Sequence, residues 1–156
     1  MGPSSGCTST APAQGGTQNQ AIGRSRGGLT TKILALVDAL GNLARFILLP
    51  GQRHDSIGAE PLIAGLTFDA LIGDKAFDSD HLRAELAGRG ALAVIPPKSD
   101  RASRIPCDFA MYAWRHLVEN FFCDLKGFRR IATRYDKTDV SYAAIIHLAA
   151  CRLALR

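Results

Sequence analysis

The chain has 156 residues, 47% of them hydrophobic, enough to build one domain around one core. A formal net charge of +5 and a pI near 9.3 suit a polyanionic partner, although basic charge alone does not single out nucleic acid. Cys7, Cys107, Cys123 and Cys151 show no metal-ligand spacing, nothing N-terminal resembles a signal peptide, and no apolar run reaches the roughly 18 to 20 residues of a membrane span. The expectation is a reduced, cytoplasmic protein with unpaired thiols and no membrane contact.

Residues 1–20 are rich in Gly, Ser, Thr, Pro and Gln and carry no charged side chain, which predicts a disordered low-complexity tail ahead of a folded part over residues 21–156. Residues 29–37 and 43–49 are β-favourable and flank a turn at 39–42, so they predict a hairpin that Pro50 and Gly51 stop. A short helix is expected over 55–66, and a strand covered on both faces over 66–73, ending at Asp74. Residues 79–88 predict a helix and 91–95 a last strand closed by Pro96 and Pro97. A linker with Lys98, Arg101 and Arg104 leads to a helix over 112–126, and a mostly apolar helix is expected over 141–155. Strands alternating with helices make this an α/β chain, and no internal repeat is visible.

The segment YAWRHLVENFFCDLK, residues 112–126, is the most informative stretch. At the helical period Tyr112, Arg115, Glu119 and Lys126 project at roughly 0°, 300°, 340° and 320°, one narrow stripe. Trp114, Leu117, Val118, Phe121, Leu125 and Phe128 fall between roughly 140° and 240°, an apolar face suited to burial. One carboxylate flanked by two cations and a phenol suits a site that holds a metal and handles phosphates. A surface helix with Arg115 and Glu119 as an i,i+4 ion pair is the alternative.

The spacing Tyr, two residues, Arg, three residues, Glu, six residues, Lys resembles the signature of DDE transposases of bacterial insertion sequences. The segments QAIGRSRGGLTTKILALVDALGNLARFILLPGQRHDS, LIGDKAFDSDHLR and RHLVENFFCDLKGFRRIATRYDK are most similar to the insertion sequence five group. The resemblance implies a ribonuclease H-like core, with Asp74 at the end of the fourth strand and Glu119 on the helix after the fifth as catalytic metal ligands. It implies Mg²⁺, or Mn²⁺, in a two-metal site, with the ions about 3.5 to 4 Å apart and stabilising the attacking and leaving oxygens of a phosphoryl displacement. Water then attacks DNA at the element ends, and the freed 3′-OH attacks target DNA; an oligomer on DNA is expected. Arg115 and Lys126 are expected to grip phosphates and Tyr112 to meet a base or the backbone. Arg129, Arg130 and Arg134 extend the positive charge along a strand, unless that run is merely solvated.

The pattern lacks its first Asp: no Asp or Glu precedes Asp38, which reads as a turn residue. The absent first strand is the central one of the family's sheet, so the core is expected to be truncated at its N-terminus. Back-translation of Cys7 to Gln14 in a neighbouring frame yields a segment similar to the one that follows the family's first Asp. Residues 1–14 are therefore expected to be out of frame, with family register resuming near Gly15. The chain would be a downstream reading frame or a remnant, inactive alone and completed by an upstream-frame polypeptide. A non-catalytic DNA-binding regulator is the alternative. Weaker features are GGLTTK, whose Thr30, Thr31 and Lys32 read as strand residues, and His54 beside Asp55, a loop His beside a capping Asp. His81, His116 and His147 look isolated. Asp78 and Asp80 read as capping acids, with a place beside the metal left open for either.

Overall fold

The computed structural model describes residues 20–25, 28–103 and 105–156; residues 1–19, most of the expected tail, and Arg104 of the linker lie outside the described residues. Strands β1 (Gly23–Ser25), β2 (Gly28–Val37) and β3 (Leu43–Pro50) form an antiparallel sheet in the order β1-β2-β3. The expected hairpin is β2–β3. Its turn is closed by Asp38, whose carboxylate accepts from Leu40 N and Asn42 N at 2.9 Å each, while Gly41 takes the left-handed backbone at φ 84°. A bulge between Leu36 and Val37 shifts the register, pairing Leu36 with Arg45 but Val37 with Leu43. Thr30, Thr31 and Lys32 are strand residues, as expected.

Both faces of the hairpin are covered, which explains its nearly continuous apolar run. Ile33, Ala35, Val37, Phe46 and Leu48 pack against the C-terminal helices. On the other face Leu34, Ile47 and Leu49 close on Gly58, where a Cβ would lie 2.6, 2.7 and 3.0 Å from their methyl carbons, so a larger residue would have to push those methyls aside. Gly58 ends a 3-10 turn (Asp55–Gly58) that leads into helix α1 (Ala59–Ile63). The Arg45 guanidinium donates to Leu62 O at 3.2 Å and Ala64 O at 2.6 Å, and Gly65 at φ 69° ends the helix sooner than the expected residue 66.

The expected strand over 66–73 shrinks to β4 (Ala70–Ile72), parallel to β5 (Leu92–Val94). Leu66 N bonds Ile63 O, which keeps the chain turning there, and β5 offers only three residues before its prolines, so there is no ladder for residues 66–68 to join. Helix α2 (Asp80–Gly88) lies between them, with Ser79 Oγ accepting from Leu82 N at 3.2 Å. Helix α3 (Phe109–Tyr112), a 3-10 turn (Ala113–Arg115) and α4 (His116–Lys126) run on as one helical segment, with helical dihedrals at Tyr112, Ala113, Arg115 and His116. Asp108 caps it, accepting from Met111 N at 3.0 Å, so it begins three residues ahead of the expected start at 112. Two more helices follow: the short α5 (Arg129–Ala132), not anticipated, and α6 (Asp139–Ala154), 16 residues long and capped by Thr138.

Two expectations are corrected. The buried side chains form two clusters rather than one core. One joins α1, α2, β4 and β5 through Ala59, Ile63, Leu82, Leu86, Ala91 and Ile95. The other joins the hairpin to α4, α5 and α6 through Phe121, Leu125, Ile131, Tyr142, Ile146 and Ala149. The division follows from the strands: among the described residues no ladder connects the three-stranded sheet to the β4–β5 pair. Trp114, assigned to the apolar face, is 53% exposed, because it stands in the 3-10 turn ahead of the stretch of α4 that packs on β2 and α6.

Candidate metal and nucleic-acid site

Asp74 is the second residue beyond β4. Gly73 N extends the parallel ladder to Val94 O at 3.2 Å, and Asp74 then caps a 3-10 turn (Lys75–Phe77), its carboxylate accepting from Lys75 N at 2.7 Å. The side chain is exposed at the C-terminal end of a parallel strand pair, the end where open α/β sheets hold ligands. In this structure the carboxylate makes the capping contact that a plain turn Asp would make. Its other oxygen accepts no hydrogen bond among the described residues.

Asp78 ends the same turn through its backbone N–H, but its side chain does not cap. Its side chain is fully buried and accepts from Arg83 Nε at 2.7 Å, Lys98 N at 2.8 Å and Arg101 Nε at 2.8 Å. Burial opposes ionisation, but the bonds from Arg101, Lys98 N and Arg83 outweigh it and hold the carboxyl well below the usual carboxylate range. Arg101 also meets Asp80 at 2.7 Å, and its bonds to Asp78 and then Asp80 raise its own affinity for the proton. Arg83 donates to Ile95 O at 2.7 Å. This network was not anticipated; the available signal was an Asp four residues past Asp74 with arginines on both following segments.

The predicted stripe on the long helix is present. The Arg115 guanidinium lies over the Tyr112 ring at 5.6 Å and meets Glu119 Oε1 at 2.7 Å, so the three side chains form one chain of contacts along the helix. The i,i+4 ion pair therefore exists. Glu119 remains half exposed within it, and α3, at the head of the segment, lies against β5. Lys126 at the tail is exposed and forms no ion pair among the described residues.

The downstream cations divide. Arg129 is exposed and, among the described residues, forms no ion pair; Arg130 is exposed and meets Asp136 at 3.0 Å. Arg134 is largely buried. It donates to Thr31 Oγ1 at 2.5 Å, Asp139 Oδ1 at 2.7 Å and Asp136 O at 3.0 Å and lies over the Tyr142 ring at 5.0 Å, so its fork is spent inside the fold. Two open depressions of about 210 and 160 Å³ lie beside α6 and the hairpin turn, and neither is lined by Asp74 or Glu119.

Among the described residues the one group of three or more potential metal ligands is Glu60, His81 and Glu85, so His81 is not isolated: its Nδ1 lies 2.8 Å from Glu60. Glu60 and His81 are exposed on α1 and α2, and Glu85 pairs with Arg89. Neither Asp74 nor Glu119 belongs to a group of three or more such ligands among the described residues.

The transposase DDE domain profile matches residues 5–106, well over half of the chain, a span that includes Asp74 and stops short of Glu119. A Brucella ovis protein that carries the name of transposase for insertion sequence element IS6501 is 40% identical over 130 residues, covering 82% of this chain and 100% of that protein. No solved structure matches. The chain thus belongs to the DDE transposase family, as the motifs around Asp74 and Glu119 imply.

Proposed function

We propose that this chain is the catalytic portion of an insertion-sequence transposase with a ribonuclease H-like core, in which Asp74 and Glu119 hold a divalent metal, Mg²⁺ or Mn²⁺. The observation that carries the reading is the placement of Asp74 just past a parallel strand pair, with α3, at the head of the helical segment that bears Glu119, lying against β5. The residues fit the ion in kind: two exposed carboxylates are hard oxygen ligands, and Mg²⁺ keeps several waters and needs few of them. When bound, the metal stabilises the charge that builds on the attacking and leaving oxygens.

The remaining groups prepare the substrate. Arg115 can turn from Glu119 towards a phosphate and grip two of its oxygens, and Lys126 and Arg129 supply point charge along the strand. Tyr112 offers a flat face for a base and, through its contact with Arg115, holds that side chain in the stripe. Water attacks the phosphorus at the element end and the P–O3′ bond breaks. The freed 3′-OH then attacks a target phosphorus, displacing the target's own 3′ oxygen.

The sheet edges support a role for an upstream-frame polypeptide. Beyond Thr30, β2 pairs on one side only, and β4 pairs only with β5, among the described residues. A strand carrying the first acidic residue would pair with these edges and bring the third ligand. Alone, the chain then acts in the bacterial cytoplasm as a DNA binder that competes with whole enzyme, the regulator reading that the missing third carboxylate favours. DNA affinity that falls with salt, with Mg²⁺-dependent nicking appearing only when the upstream polypeptide is added, is the expected result. Nicking by the chain alone would overturn the need for a third ligand from outside it.

A further inference from the structure

The turn that carries Asp74 is fixed at two ends. At the first, Gly73 N continues the β4–β5 ladder at 3.2 Å. At the second, Asp78 gathers Arg83 from α2 and Lys98 N and Arg101 from the segment after β5. Between these ends only two backbone bonds, Phe77 N to Asp74 O at 2.9 Å and Asp78 N to Lys75 O at 3.1 Å, hold the turn itself.

We propose that Asp78 is a positioning residue for the metal site, a buried clasp that fixes the Asp74 carboxylate by tying the loops after β4 and β5 to each other and to α2. The inference rests on the reading of Asp74 as a metal ligand. The geometry favours positioning over plain packing for three reasons. Asp78 is the buried charged residue among the described side chains, and its partners come from two separate segments, α2 and the stretch after β5. Its contacts use both carboxylate oxygens: Arg83 binds Oδ1, while Lys98 N and Arg101 bind Oδ2, so the side chain cannot rotate without breaking one set. Arg83 and Arg101 are themselves anchored, on Ile95 O and Asp80, so the clasp is held from outside. A flexible loop would place one ligand of a metal correctly only part of the time, and apparent affinity falls by that fraction.

The test is a Mn²⁺ titration of the full 156-residue chain, following paramagnetic broadening of the Lys75 amide resonance, with hydrogen exchange at the Lys98 amide measured alongside. Asp78→Asn keeps the shape but removes the charge. It should raise the Mn²⁺ concentration for half-broadening at least fivefold and speed exchange at Lys98 at least tenfold, while amides of β2 and β3 keep their protection. Arg101→Lys, which leaves the Arg83 contact in place, should shift the Mn²⁺ midpoint in the same direction by less, and it serves where Asp78→Asn does not fold. A folded Asp78→Asn or Arg101→Lys protein with an unmoved Mn²⁺ midpoint overturns the positioning role and leaves Asp78 as a packing residue. Asp74→Asn separates the two readings: if it leaves the broadening intact, Asp74 is not a ligand and the functional reading fails, whatever Asp78 does.

Discussion

Arg134 and Lys126 look alike in the sequence, two cations in one basic run, and the fold uses them differently. The Arg134 guanidinium is buried against Thr31, Asp139 and Tyr142, whereas Lys126 stands in solvent. Arg134→Met should therefore cost about 2 to 3 kcal/mol in urea unfolding, since it removes charge-assisted bonds from a part-buried site, and should leave the salt slope of DNA affinity unchanged. Lys126→Ala should do the reverse, lowering that slope by about one while changing stability by less than about 0.5 kcal/mol. Asp78 sets a pH dependence. Its folded carboxyl lies below the ordinary value of 3.8, so its stabilisation is complete above that value and is lost as pH falls through it towards the folded value. Asp78→Asn should be less stable near neutrality, because the part-buried Arg83 and Arg101 guanidinium groups lose a charged partner. In acid unfolding the gap to wild type should narrow below about pH 4. The sequence offered an Asp near Asp74 and arginines on the following segments, but not their pairing, because that depends on which loops meet beyond β4 and β5.

At the scale of elements, legibility followed periodicity. The long helix showed a polar stripe and an apolar face at the 3.6 period, and the contacts between Tyr112, Arg115 and Glu119 reproduce the stripe. The apolar face was over-read at Trp114, since a wheel assigns direction but not what lies opposite. Phe121→Ala should cost about 3 to 5 kcal/mol, and Trp114→Ala less than about 1 kcal/mol, in matched denaturant titrations. The hairpin was legible because turn chemistry and β-favourable runs agree, down to Asp38 in the turn. The short elements were not. β1 has three residues without alternation, α5 has four, and residues 66–68 look strand-like yet find no partner strand. Local sequence does not report whether a neighbour exists to complete a ladder.

Across the whole molecule, family membership was legible and a single core was not. The side chains that fill the two clusters are apolar alike, and only the unjoined sheets separate them. Among the described residues, the open edges on β2 and β4 leave backbone groups without ladder partners, at about 1 to 3 kcal/mol for each one buried, against a total domain stability of about 5 to 15 kcal/mol. Calorimetry of the isolated chain should accordingly show a broad transition, with a van't Hoff enthalpy below the calorimetric one, and the upstream-frame polypeptide should sharpen it. The central claim is that Asp74 and Glu119 are the metal ligands of a transposase active site. Its most direct test is Mg²⁺-dependent cleavage of element-end DNA by a reconstructed enzyme that carries the first acidic residue, comparing Asp74→Ala and Glu119→Ala with the parent. Loss of cleavage in both, with DNA binding largely kept, is the predicted result, and near-parental cleavage by either variant would contradict it.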